Sequence, residues 1–237
     1  MTTFPSTDFV EAKRHSTSIL MAAERRCLLW LAKRLPRSIN SDHLSILGLS
    51  SMALAGLAFA ALGITPWAAL VVVLALAANW FGDSLDGTVA RVRQQQRPRY
   101  GFYVDHIIDL AGTTMLLAGM ACSGLMNPLI TAAVLVGYLL VSSESYLATH
   151  ASGVFRMSFM GFGPTELRLV LMAGAIRAVQ SAWVQPFGAA PVRLFDIGGV
   201  IAACGLVAAF IVSSVRNTRA LYLAEPIPER SRDKRAA

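Results

Sequence analysis

Two long stretches of this chain carry no charge, and they decide its fold class. No Asp, Glu, Lys or Arg occurs from Leu44 to Gly82 or from Leu110 to Ser143. A helix crossing a bilayer core takes about 20 apolar residues, so each stretch is long enough for two spans. Each is also broken near its middle by turn-forming residues, Gly63-Ile64-Thr65-Pro66 in the first and Ser123-Gly124-Leu125-Met126-Asn127-Pro128 in the second. The pattern predicts two helical hairpins. With 55% hydrophobic and 15% charged residues, the chain carries less charge than a soluble domain of its size.

The C-terminal half adds two further spans. Ile197 to Val215 is uncharged, whereas Thr165 to Trp183 is interrupted by Arg168 and Arg177. Arginines near a helix end can keep their heads at the interface while the stem lies along apolar surface. The expectation is an all-α integral membrane protein of six transmembrane helices, preceded by an N-terminal amphipathic interfacial helix. The N-terminus is not expected to be a signal peptide, because Asp8, Glu11 and several bases precede any apolar core. From Phe9 to Leu35, residues such as Leu20, Met21, Cys27, Leu28, Trp30 and Leu31 alternate with Lys13, Arg25, Arg26, Lys33 and Arg34. A helix of this kind lies in the membrane surface. The chain divides into a cytoplasmic amphipathic segment (1–40), a six-helix domain (41–220) and a disordered basic cytoplasmic tail (221–237). Cys27, Cys122 and Cys204 match no metal or disulfide spacing.

Six spans put both termini on one side. Seven Lys and Arg precede Ser41, four lie from Arg91 to Arg99, two are Arg156 and Arg168, and six lie from Arg216 onward. The other side receives only Arg177 and Arg193. The positive-inside rule makes the base-rich side cytoplasmic and the protein a multi-pass component of the inner membrane. The net charge of +7 is accounted for by topology and by contact with anionic lipid heads, and needs no nucleic acid.

Four carboxylates break the apolar pattern. Asp83 and Asp86 fall at the cytoplasmic end of the second span, Asp105 and Asp109 at the start of the third. Spacings of three and four residues put each pair on one helical face. The two helices are joined by a short loop and are expected to be neighbours, so the pairs can converge. Clustered anions repel unless neutralised, and divalent metal is the natural solution. An all-oxygen site suits Mg²⁺, Mn²⁺ or Ca²⁺ rather than zinc. Gly82, Gly87, Ala90 and Gly101 keep side chains away from the carboxylates, and Arg91 is placed to grip a phosphate. The same small residues would also serve close helix packing.

The stretch Asp83-x2-Asp86-Gly87-x2-Ala90-Arg91-x9-Gly101-x3-Asp105-x3-Asp109 resembles the signature of the CDP-alcohol phosphotransferase family, with all eight signature residues present. The resemblance implies a membrane enzyme of phospholipid biosynthesis. Such an enzyme transfers a substituted phosphate from a CDP-linked lipid or CDP-alcohol to an alcohol hydroxyl and releases CMP. It implies two divalent cations, Mg²⁺ or Mn²⁺, held by Asp83, Asp86, Asp105 and Asp109. Asp83 and Asp105 would bridge them, Asp86 and Asp109 would complete one site each, and Asp109 would also be the general base. Gly87 and Arg91 would meet the CDP moiety, with Ala90 and Gly101 lining the same site. Upstream, Asn40-Ser41-Asp42-His43-Leu44-Ser45 is similar to a family stretch near the nucleotide. Ser45 there stands in for a threonine and Asp42 departs from an asparagine, while His43 is expected at the interface rather than on a metal. Homodimers occur in that family.

A second stretch, Thr149-x2-Ser152-Gly153-x2-Arg156 with Thr165-Glu166, is similar to eukaryotic choline/ethanolamine phosphotransferases, which use CDP-amino-alcohols and diacylglycerol. In most bacterial relatives the donor is CDP-diacylglycerol. Glu144 and Glu166 could face a cationic head group, and Arg156 and Arg168 an anionic acceptor; Glu166 could equally pair within the protein. Two other classes stand beside the enzyme: a divalent-cation transporter, since intramembrane carboxylates mark ion paths, and a catalytically dead lipid-binding scaffold.

Overall fold

The computed structural model describes residues 21–152, 163–188, 190–225 and 227. Seven helices account for most of these: α1 (Met21–Arg34), α2 (Ser41–Leu62), α3 (Ala68–Val92), α4 (Pro98–Cys122), α5 (Pro128–Ser152), α6 (Pro164–Gln180) and α7 (Leu194–Ala224). Local chemistry sets their limits. Asn40 caps α2: its Oδ1 accepts the His43 N–H at 2.9 Å, and His43 Nδ1 accepts the Asn40 N–H at 3.3 Å. His43 is therefore a capping residue. Helices α4, α5 and α6 each begin on a proline, where the missing N–H removes a donor that would lack a partner anyway. Both hairpin turns fall where the sequence predicts them. The second relies on Gly124, whose φ of +71° favours a residue without Cβ.

Helices α2 to α7 alternate in direction. At one end Ser45 of α2 meets Asp86 of α3, and Arg168 of α6 meets Asp83. At the other, Phe59 of α2 packs edge-to-face on Phe195 of α7, and Asp196 accepts the Asn127 N–H at 2.6 Å. Four of the six are long and apolar enough to cross a membrane by composition: Ser41–Leu62, Ala68–Val92, Pro128–Ala151 and Leu194–Ala224. Helix α4 has 25 residues, but Asp105, His106 and Asp109 lower its hydropathy. Helix α6 has 17 residues with Glu166, Arg168 and Arg177 among them. Asp105 and Asp109 of α4 and Arg168 of α6 belong to the site described below. The outer surface exposes Leu57, Leu70, Leu74, Leu129, Leu147, Ile201 and Val212, an extent of apolar surface suited to lipid and not to water.

Helix α2 is the hub. It packs along α3 and α4, while α5 pairs with α7, α4 with α5, and α6 with α3. In lipid, helices associate by close packing rather than by a hydrophobic drive, and small residues permit it here. A Cβ on Gly82 would stand 2.6 Å from the Leu44 carbonyl oxygen and 2.7 Å from the Gly48 nitrogen. A Cβ on Gly119 would overlap the Gly56 carbonyl. Ala55, Phe59, Val72, Leu76, Leu116, Met120 and Met126 fill the space between these crossings.

The chain departs from expectation in four places. Helices α3 and α4, though joined by a short loop, are not packed neighbours: each packs on α2 and they make almost no direct contact. Helix α1 does not merely lie apart on the membrane surface. Its buried Leu28 and Ala32 dock with Leu44, Leu85 and Val89, leaving Leu29 and Trp30 outward. A two-stranded antiparallel turn, β1 (Trp183–Val184) with β2 (Val192–Arg193), joins α6 to α7; strands this short leave no periodic trace. Helix α7 runs to Ala224, past the expected boundary at 220. Residues 9–20, Gly153, Arg156 and residues 228–237 lie outside the described ones.

Candidate functional site

Asp83 and Asp86 occupy the last turns of α3, and Asp105 and Asp109 the first turns of α4. All four are partly buried at the same end of the bundle. Because α3 and α4 barely touch and α2 packs on both, the region between the two pairs, with α2 beside it, is the candidate cleft. Asp86 lies within electrostatic range of Asp83 on its own helix and of Asp105 across the cleft.

Protein donors hold Asp86 and Asp83 individually. Ser45 Oγ donates to Asp86 Oδ2 at 2.6 Å, and the Gly87 N–H donates to Asp86 Oδ1. Arg168 Nη2 donates to Asp83 Oδ2 at 2.6 Å, and its Nε donates to Asn79 Oδ1 at 2.7 Å. Asn79 in turn donates to the Gly48 carbonyl at 3.0 Å. Among the described residues no three His, Cys, Asp or Glu side chains close around a common point. The donor set is nonetheless all carboxylate, the chemistry that hard divalent cations take. The residues therefore fit such ions by type.

The small residues in and beside the motif separate into two kinds. Gly82 belongs to the α2–α3 crossing, where a side chain would meet backbone. Gly87 and Gly101 face no such constraint. A Cβ on Gly101 meets nothing within 4 Å, and one on Gly87 reaches only the Arg91 guanidinium at 3.5 Å. Ala90 is half-buried on α3 and Arg91 is exposed beside it, with Nη2 3.3 Å from Thr88 Oγ1. The protein's own packing thus asks for glycine at 82 and not at 87 or 101.

The surroundings brace the cleft. Arg97 pairs with Asp42 and covers the Tyr100 ring at 4.1 Å, so the extra anion near Ser45 is neutralised in place. Arg93 donates to the carbonyls of Leu35, Pro36 and Ile39, fixing the α1–α2 linker to the end of α3. Glu24 Oε1 accepts from Trp80 Nε1 at 2.7 Å, Thr165 Oγ1 at 2.9 Å and Ser84 Oγ at 3.4 Å. One carboxylate thereby ties α1, α3 and α6.

The other carboxylates suggested by the sequence lie elsewhere. Glu166 reaches back to the Gly163 N–H at 3.0 Å, closing the first turn of α6. Glu144 accepts from Ser213 and Asn217, each at 2.7 Å, and joins α5 to α7.

Sequence reasoning missed several members of the site. Asn79 is buried one turn before Asp83, and its signal was an amide inside an otherwise apolar run. His106, buried, gives its Nδ1–H to the Phe102 carbonyl at 2.6 Å and packs between Phe102 and Tyr146. Tyr138 and Tyr146 of α5 lie near Asp109. Their cue was a row of hydroxyls at helical spacing with Ser142 and Ser145.

A family model described as CDP-alcohol phosphatidyltransferase matches residues 43–211, most of the chain and the whole cleft. The chain belongs to the CDP-alcohol phosphatidyltransferase family. It is accordingly a transferase of substituted phosphate groups. The fold is similar to that of the phosphatidylinositol phosphate synthase of Mycobacterium tuberculosis, crystallised with CDP-DAG bound. The TM-score is 0.53 and the identity 19%, over 90% of this chain and 100% of that one. No curated protein gives a significant match.

Proposed function

We propose that this enzyme transfers a phosphatidyl group from CDP-diacylglycerol to the hydroxyl of a small alcohol and releases CMP. The observation that carries this reading is the complete eight-residue signature, with its four aspartates at one end of the bundle and Gly87 and Gly101 free of helix packing beside them. Two divalent cations bound by Asp83, Asp86, Asp105 and Asp109 would supply neutralisation of the diphosphate and of the departing CMP. Gly87 and Gly101 let the nucleotide approach the backbone, and the Arg91 guanidinium meets a phosphate oxygen. A carboxylate oxygen of Asp109 takes the proton of the acceptor hydroxyl. The acceptor oxygen freed of that proton attacks the lipid-side phosphorus, the pyrophosphate P–O bond breaks, and CMP leaves with the bridging oxygen. Ser45 keeps Asp86 oriented.

All six helices α2 to α7 cross the cytoplasmic membrane in this reading, with the cleft and both termini cytoplasmic. The distribution of bases supports it: Arg91, Arg93, Arg97 and Arg99 lie at the cleft end, and Arg177 and Arg193 at the other. The branch using CDP-choline or CDP-ethanolamine is disfavoured by Glu166, which is engaged in closing its own helix. A cation path is disfavoured at the far end, where Asp196 is held by the Asn127 N–H.

CMP release by the purified protein tests the proposal. It should require Mg²⁺ or Mn²⁺ and fall at least about a thousandfold in Asp109→Asn, within the range general-base removal spans. Turnover persisting in that variant would take Asp109 out of the mechanism.

A further inference from the structure

Arg168 sits where a cation belongs. Its side chain is 12% exposed, its Nη2 lies 2.6 Å from Asp83 Oδ2, and the Asp83 side chain is 24% exposed. Its Nε is fixed on Asn79 Oδ1 at 2.7 Å, and Asn79, 4% exposed, is itself anchored to the Gly48 carbonyl. The arginine is thus aimed at the carboxylate by a buried amide held between α2 and α3. It reaches the cleft from α6, a helix outside the Asp motif. A planar guanidinium hydrogen-bonded to a carboxylate supplies positive charge and occupies Oδ2, one of the two oxygens a metal would use.

We propose that Arg168 is a built-in counter-cation for Asp83, released when divalent metal binds. The inference rests on the metal reading of the aspartates given above. The Arg168–Asp83 pair and the loaded metal site are mutually exclusive. Asp83 exchanges one guanidinium for a divalent ion, and Arg168 leaves the carboxylate while Asn79 and the Glu24–Thr165 contact keep α6 in place. Before loading, the pair prevents four neighbouring carboxylates from repelling one another without compensation. The cost is a weaker apparent metal affinity, because every binding event must displace a paired charge.

Two measurements on the full chain in detergent test this, with Mn²⁺ as the probe. The first is labelling of Arg168 by phenylglyoxal, read by mass spectrometry. Arg168 should be protected without metal and become reactive as Mn²⁺ saturates the site. The second is Mn²⁺ affinity from the electron paramagnetic resonance signal of the free ion. Arg168→Met should bind Mn²⁺ more tightly, on the order of tenfold, as expected for removal of a close competing charge. Arg177→Met, which removes the same charge at the far end of the bundle, should not. Arg168 still protected at saturating Mn²⁺ would overturn the proposal alone, as would equal affinity in the two variants. No Mn²⁺ binding to wild type or to either variant would instead remove the metal reading, and this proposal with it. The labelling arm uses the wild-type chain, so a variant that fails to fold leaves the test intact.

Discussion

At the residue scale, the glycines divide by what a side chain would meet. Gly82→Ala places a Cβ within 2.7 Å of backbone atoms of α2, and backbone cannot step aside as a side chain can. The expected loss is about 1–3 kcal/mol, seen as a lower midpoint of thermal unfolding in detergent. Gly101→Ala meets open space, so it should leave that midpoint unchanged and lower CMP release instead. Equal midpoints for the two variants would show that the α2–α3 crossing is looser than its geometry indicates. In the sequence both read alike, as small residues beside the aspartates; the distance to a neighbouring helix separates them. The aspartates were legible because charge in an apolar run is conspicuous. Arg168 was visible as an interruption of a span, but its partner was not. Asp83 lies 85 residues earlier, and no local spacing reports that contact.

At the scale of elements, Glu24 holds three helices with one carboxylate. Glu24→Ala leaves Trp80 Nε1, Thr165 Oγ1 and Ser84 Oγ without that acceptor. Hydrogen bonds between membrane helices contribute roughly 0.6–1.7 kcal/mol each, so a loss of about 1–3 kcal/mol is expected. Proteolysis within α1 should become faster in the variant, since the helix body would then be docked by apolar contacts such as those of Leu28, Leu31 and Ala32. An unchanged cleavage rate would mean that apolar docking alone secures α1. The amphipathic pattern of α1 was readable from sequence, whereas its seat was not: a helix that buries a narrow stripe on protein shows the same alternation as one that buries it in lipid. For the same reason the splay of α3 and α4 was hidden. Short loops predict adjacent helices, but the small residues of α2, Gly48 and Gly56, draw each of them to α2 instead.

For the whole molecule, the two charge-free stretches foretold the hairpins and the lipid-facing exterior. They did not foretell which helices pair, because tertiary pairing depends on small residues and buried polar contacts scattered through the chain. The proposed orientation predicts that a reporter fused after Ala237 appears in the cytoplasm, and a periplasmic signal would reverse it. The central claim is that the aspartate-lined cleft performs phosphatidyl transfer. Its most direct test is to incubate the purified chain with CDP-diacylglycerol, Mg²⁺ and a panel of small alcohols, and to quantify CMP and lipid products together by mass spectrometry. The account predicts one CMP for each new phosphodiester, with one alcohol strongly preferred and both products lost on chelation of the metal. CMP formed without a phosphodiester lipid, or a phosphodiester made equally well after chelation, would contradict it.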